Sequence, residues 1–260
     1  MSRRISKEEL KSKDAFLSFS ERASAYLADW IGPIVFVAGA ALFSALAVIG
    51  YNYFQDQREK QAAEEIFPLQ AAVIEKRQAL QEAAADKEDS IDWKDGVDFA
   101  SEFSSLTQPL IEVLSRHPGR NSAIMSSMTL ANLMAEFELW SEAKEVLSVH
   151  KSKTASRKDP LAGLLVAQLA AVYANLSHWP QAVELYEGLL KSKNASFLHP
   201  EVMLRLGLIF EQMGERQRSE NMLHQLAAEY GETEAGRSAR GYLRLMQLSR
   251  QPDPSLGSEG

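Results

Sequence analysis

Histidine is the side chain best suited to move a proton or hold a metal near neutral pH. This chain has five: His117, His150, His178, His199 and His224. No two stand at the i, i+4 spacing that sets two imidazoles on one helix face for zinc. Three fall at helix ends or turns, and the set reads as exposed or capping side chains. Cysteine is absent, which removes disulfides, thiolate metal sites and thiol nucleophiles. Neither an H-E-x-x-H nor a G-x-S-x-G segment occurs, and no glycine-rich loop could cradle a phosphate. Carboxylates are numerous, but on helical proteins they form solvated faces. No convergent titratable set emerges, so no catalytic residue, metal or cofactor is expected. An enzyme is the least favoured class.

What the elements must position is therefore a partner. The chain has 260 residues and 45% hydrophobic content, enough for one sizeable domain with appendages. A net charge of −7 argues against nucleic acid as a partner. Between Asp29 and Asp56 lie 26 uncharged residues, including "WIGPIVFVAGAALFSALAVIGYNYF" from Trp30 to Phe54. About 20 helical residues cross a hydrocarbon core. Trp30, Tyr51, Tyr53 and Phe54 stand at its two ends, where amphipathic rings prefer the headgroup level.

Ala45-Leu46-Ala47 has the small-x-small form of a signal-peptide cleavage site. The apolar run is longer than a signal core and continues past that point, and the 29 residues before it are too long for a basic leader. The run is expected to stay as a single transmembrane helix. Arg3, Arg4, Lys7, Lys11, Lys13 and Arg22 precede it, and only Arg58 and Lys60 follow closely. The positive-inside rule then places the N-terminus in the cytoplasm and the C-terminal part outside, in the periplasm of a Gram-negative bacterium. Ala40, Ala41, Ser44 and Ala45 place small residues four apart, which leaves open a homo-oligomer packed through the span.

Beyond the span the pattern is all-α. Sustained period-two alternation and hairpin dipeptides are missing. Gln57 to Lys87 reads as a helix that Pro68 should kink or split. "DKEDSIDWKDG" reads as a charged loop, and the next helix stops at "HPG", residues 117–119.

From there the chain repeats itself in "LANLMAEFELWSEAKEVL", "LAAVYANLSHWPQAVELY" and "LGLIFEQMGERQRSENML". Ala131, Ala170 and Gly207 are each followed three residues on by Met134, Tyr173 and Phe210. Nine further on come Ala143, Ala182 and Ser219, and after four more Leu147, Tyr186 and Leu223. Small residues let two antiparallel helices approach, and large ones fill the space beside them. Pro180 suits the first turn of a second helix.

These segments resemble the tetratricopeptide repeat, a helix–turn–helix unit of 34 residues. The resemblance implies an α-solenoid of about three to four helix pairs, with Ala235 to Leu248 as its cap. The whole layout is also similar to the YfgM-like inner-membrane proteins, with "KDAFLSFSERASAYL" before the span and "REKQAAEEIFPLQAAV" just after it. That resemblance implies an ancillary role at the Sec translocon, with translocon subunits and periplasmic chaperones as partners. The expected organisation is a cytoplasmic segment 1–29, a transmembrane helix 30–54 and a juxtamembrane helix and charged loop 55–95. A repeat domain 96–250 and a disordered tail 251–260 follow.

In tetratricopeptide arrays the first helices of successive pairs line a concave groove. The register of the small residues places Met125, Met128, Thr129 and Asn132 there from one pair. Leu164, Gln168 and Asn175 come from the next, and Leu204, Arg205, Leu208 and Gln212 from the third. Arrays that clamp a chaperone's terminal carboxylate use two lysines, two asparagines and an arginine. Asn132, Gln168 and Arg205 fall on three of those positions, but Met128 and Glu201 replace the lysines, so the clamp is rejected. A groove of Met, Leu and amides suits an apolar or amphipathic segment of another protein. The expected function is a membrane-anchored periplasmic scaffold assisting export or chaperone hand-over. A scaffold for envelope assembly or cell division has the same architecture.

Overall fold

The computed structural model describes residues 7–85, 92–155, 157 and 159–248, with side chains from residue 40 onward. The expected tail 251–260 lies outside the described residues, as does most of the charged loop. Among the described residues the chain is helical without strands. It comprises two units, 1–58 and 59–260.

In the first unit every described side chain from 40 to 54 is exposed, including Leu42, Phe43, Leu46 and Ile49. Among the described residues no helix is long and apolar enough to cross a membrane. Residues 30–39 of the expected span fall outside the described side chains.

Helix α1 runs Lys7–Ala85. Pro68, expected to kink or split the helix, does not split it. Ala62, Ile66 and Val73, on both sides of the proline, are buried in one core, and tertiary packing outweighs the lost backbone bond. Residues 59–85 of α1 thus belong to the same compact unit as the helices that follow.

The remaining helices are α2 Phe99–Arg116, α3 Asn121–Glu136, α4 Trp140–Thr154, α5 Pro160–Asn175, α6 Trp179–Leu190, α7 His199–Gln212, α8 Arg216–Glu229 and α9 Glu234–Leu248. The later part of α1 is tied to them by polar contacts. The Glu59 carboxylate accepts from the Asn121 and Ser122 backbone N–H groups, at 3.0 and 2.7 Å. It thereby caps α3, whose own N-cap residue Arg120 makes no side-chain cap. Glu65 meets Arg116 and His117, Lys76 pairs with Glu102, and Arg77 pairs with Glu136.

Caps and turns follow from local sequence. Asp98 accepts from Ser101 N–H at the start of α2, and Asp159 accepts from Ala162 N–H at the start of α5. Pro160, Pro180 and Pro200 occupy first turns, where no intrahelical N–H is needed. The turns α3–α4, α5–α6 and α7–α8 share one geometry. Glu138, Ser177 and Gly214 have φ of 59°, 57° and 75°. Each is followed by a residue whose N–H reaches back to a helix carbonyl: Leu139 to Met134, His178 to Tyr173 and Glu215 to Phe210. This is the left-handed C-terminal stop with its 6→1 bond.

The helices of each pair, α3 with α4, α5 with α6 and α7 with α8, make the largest contacts, and α9 packs on α8. The small residues lie where they cross: Ala131, Ala143, Ala170, Ala182 and Ser219 are all at most 1% exposed. A Cβ on Gly207 would stand 2.7 Å from Leu223 Cδ2, so α7 and α8 meet there without room for a methyl group. The apolar interior forms three blocks: one from α1 to α5, one around α5, α6 and α7, and one around α7, α8 and α9.

Candidate binding groove

The eleven expected groove residues are all exposed or half-buried, none buried. Helical period explains this: each lies off the stripe formed by Leu130, Leu133, Leu165, Leu169, Leu206 and Ile209, which face the core. They divide into groups with different work.

Asn175, Arg205, Leu208 and Gln212 come together. With Trp179, Tyr186 and Ile209 they line a cleft of about 190 Å³ between α5, α6 and α7. Asn175 Nδ2 donates to its own helix at Ala171 O, 2.9 Å, so its carbonyl end is left for another donor. Arg205 Nε donates to Glu201 Oε1 at 2.8 Å, both side chains being more than half exposed. That carboxylate already engages the guanidinium, a second reason why a terminal carboxylate is a poor occupant. Burial pushes the Tyr186 phenol up to about 12, with Glu201 pushing the same way and Arg205 opposing. It stays neutral at physiological pH. The cleft offers an amide carbonyl, an amide, a guanidinium edge and an aromatic wall, a set for holding a chain segment.

Met128, Asn132 and Gln168 form a strut. Gln168 Nε2 donates to Met128 O at 2.9 Å and to Asn132 Oδ1 at 2.7 Å, joining α5 to α3. Gln168 was expected to offer hydrogen bonds to a partner. Both of its N–H bonds are spent inside the protein, and its Oε1 is buried with no partner. Leu204 also departs from the groove: it packs with Met203, Leu223 and Leu226 on the side facing α9. Thr129 faces α1 across a small hollow lined by Gln70, Val73 and Arg77. Met125 and Leu164, 55% and 37% exposed, join neither the cleft nor the strut.

Other cleft residues lie outside the expected set. Trp179, at a repeat position equivalent to Trp140, reads in the sequence as a packing residue, and Tyr186 comes from α6, a second helix. The available signal was a phenol at Tyr186 where the other pairs have Leu147 and Leu223.

One histidine departs from the exposed or capping expectation. His150 is 0% exposed. Gly119 N–H donates to its Nδ1 at 3.2 Å, so the proton sits on Nε2, which donates to Ser127 Oγ at 2.7 Å. Burial lowers its pKa to about 4, and it is a neutral core residue. Its place in the row Ala143, Val146, Leu147, His150, Thr154, all buried on α4, was the signal available. Among the described residues no group of His, Asp or Glu could hold a metal ion. In comparisons with known proteins the chain matches no family model and no curated protein.

Proposed function

We propose that this chain is a membrane-anchored protein-interaction scaffold whose helical domain grips a segment of another protein in the cleft between α5, α6 and α7. The observation that carries the reading is the convergence of Asn175, Arg205, Leu208 and Gln212 with Trp179 and Tyr186 on one opening. Apolar walls with a few fixed polar groups suit an amphipathic segment. The anchor rests on Trp30 to Phe54, uncharged throughout and exposed wherever its side chains are described. A helix apolar on all sides belongs in lipid or in a core. The basic residues before it put the N-terminus in the cytoplasm and the helical domain in the periplasm. The layout's resemblance to the YfgM-like inner-membrane proteins supports work in protein export, with translocon subunits or chaperones as partners.

The test is quantitative crosslinking from membranes with the full chain. Asn175, Arg205 and Gln212 changed together to Ala should cut partner capture at least about tenfold, since each lost buried hydrogen bond costs about 1–3 kcal/mol. Exposed Asn175, Arg205 and Gln212 leave the melt unchanged. Unchanged capture would refute the cleft. Capture of cell-wall machinery in place of translocon subunits would refute the export assignment while leaving the cleft intact.

A further inference from the structure

The outer face of α9 does not look like the end of an array. A terminal helix must present a polar outer face to stay soluble. Here Leu245 and Leu248 are 62% and 63% exposed and Tyr242 is 40% exposed. Between them stands Gly241, whose Cβ position has nothing within 4 Å. Helix α9 carries Arg237, Arg240 and Arg244 against a single acidic residue, Glu234 in its first turn, in a chain of net charge −7. All three arginines are exposed. Arg237 donates to the Glu232 carbonyl, and Arg240 and Arg244 meet no carboxylate among the described residues. The opposite face of α9, Ala235, Ala239, Leu243 and Met246, is spent against α7 and α8.

We infer that this face is a second docking site, separate from the cleft, and that its occupant is an acidic amphipathic helix of a partner protein. Three features select that occupant. The arginines recur at three- and four-residue spacings, so glutamates at matching spacings on a second helix can meet them in register. Gly241 lets a helix backbone approach closely, as Gly207 does for α8. Leu245 and Leu248 supply the apolar contact that an ion pair alone lacks. A second copy of α9 is excluded as occupant, because three arginines would face three arginines. The sequence after α9 carries Pro252 and Pro254, and proline is a poor helix-interior residue.

The experiment uses the full chain in phosphatidylcholine nanodiscs and two labelled synthetic helices of alanine and leucine. One carries three glutamates at the matching spacings, the other three lysines. Fluorescence anisotropy should show the acidic helix bound at least about tenfold more tightly than the basic one, weakening as salt rises. Joint Arg237→Glu, Arg240→Glu and Arg244→Glu should reverse that preference. Leu245→Ser with Leu248→Ser, both on the exposed side, should weaken binding without altering the charge preference, and serves if the reversal variant folds poorly. Equal binding of the two helices, or binding of neither, overturns the inference. So does binding that appears only after residues 249–260 are deleted, which assigns the face to the chain's own tail. Absent peptide binding, arginine-dependent protection of 234–248 from hydrogen exchange in phosphatidylglycerol nanodiscs would assign the face to lipid and also overturn it.

Discussion

His150 makes the helical domain acid-sensitive in a calculable way. Buried, it titrates near 4, whereas in the unfolded chain it would titrate near 6.5. Between those values the unfolded chain holds a proton that the folded one does not, so stability falls as pH falls. The contribution is whole above about pH 6.5, declines by up to about 1.4 kcal/mol per pH unit, and is exhausted near pH 4. The full span amounts to about 3 kcal/mol, a large share of a domain's marginal stability. Two causes act together. The imidazolium would lose its hydration in a site with 0% exposure, and a proton on Nδ1 would face the Gly119 N–H that now donates to it. The assay is urea unfolding of the full chain at several pH values from 7.5 to 4.5, beside His150→Gln. The variant keeps one polar arm but cannot titrate. It should be about 1–3 kcal/mol weaker at pH 7.5, where Gly119 N–H or Ser127 Oγ loses its mate. That gap should close on acidification, because only the wild type declines through this residue. Carboxylates common to both proteins cancel in the difference. A gap that stays constant down to pH 4.5 would refute the buried neutral histidine.

Two further predictions concern the repeat geometry. Ala182, fully buried between α5 and α6, should tolerate no enlargement: Ala182→Trp should cost about 1–3 kcal/mol or more, against about 0.5 kcal/mol or less for exposed Glu184→Ala. Equal denaturation midpoints would mean that the helix register is wrong. At the shared left-handed turn, Glu138→Gly should stabilise by about 0.5–1 kcal/mol and Gly214→Ala should destabilise by about the same. Opposite signs in thermal melts would show that these turns are not left-handed.

The helix pairs were legible because close packing imposes a residue size at fixed intervals, and size is visible in sequence. The turns were legible only in part. Glycine advertises a positive φ at Gly214, but Glu138 and Ser177 adopt the same conformation with residues that do not announce it. Their 6→1 bonds to Met134 and Tyr173 carbonyls hold them there. The packing role of α1 was hidden because Ala62, Ile66 and Val73 lack the paired small-residue signature, and Pro68 argued for an interruption. In the groove, amphipathic period correctly separated exposed from buried positions, yet it could not tell a waiting amide from an engaged one. Gln168 and Asn175 have equivalent chemistry in the sequence; only the distance to Met128 and Asn132 makes the first a strut.

The division of the interior into three blocks has a mechanical consequence. A load applied at the C-terminal end would strip α9 and α8 from α7 by dismantling Leu223, Leu226, Leu243 and Met246, while Phe103, Leu110, Ile124 and Leu147 at the other end stay packed. The protein then yields one block at a time instead of collapsing at once, each block letting out length as it unpacks.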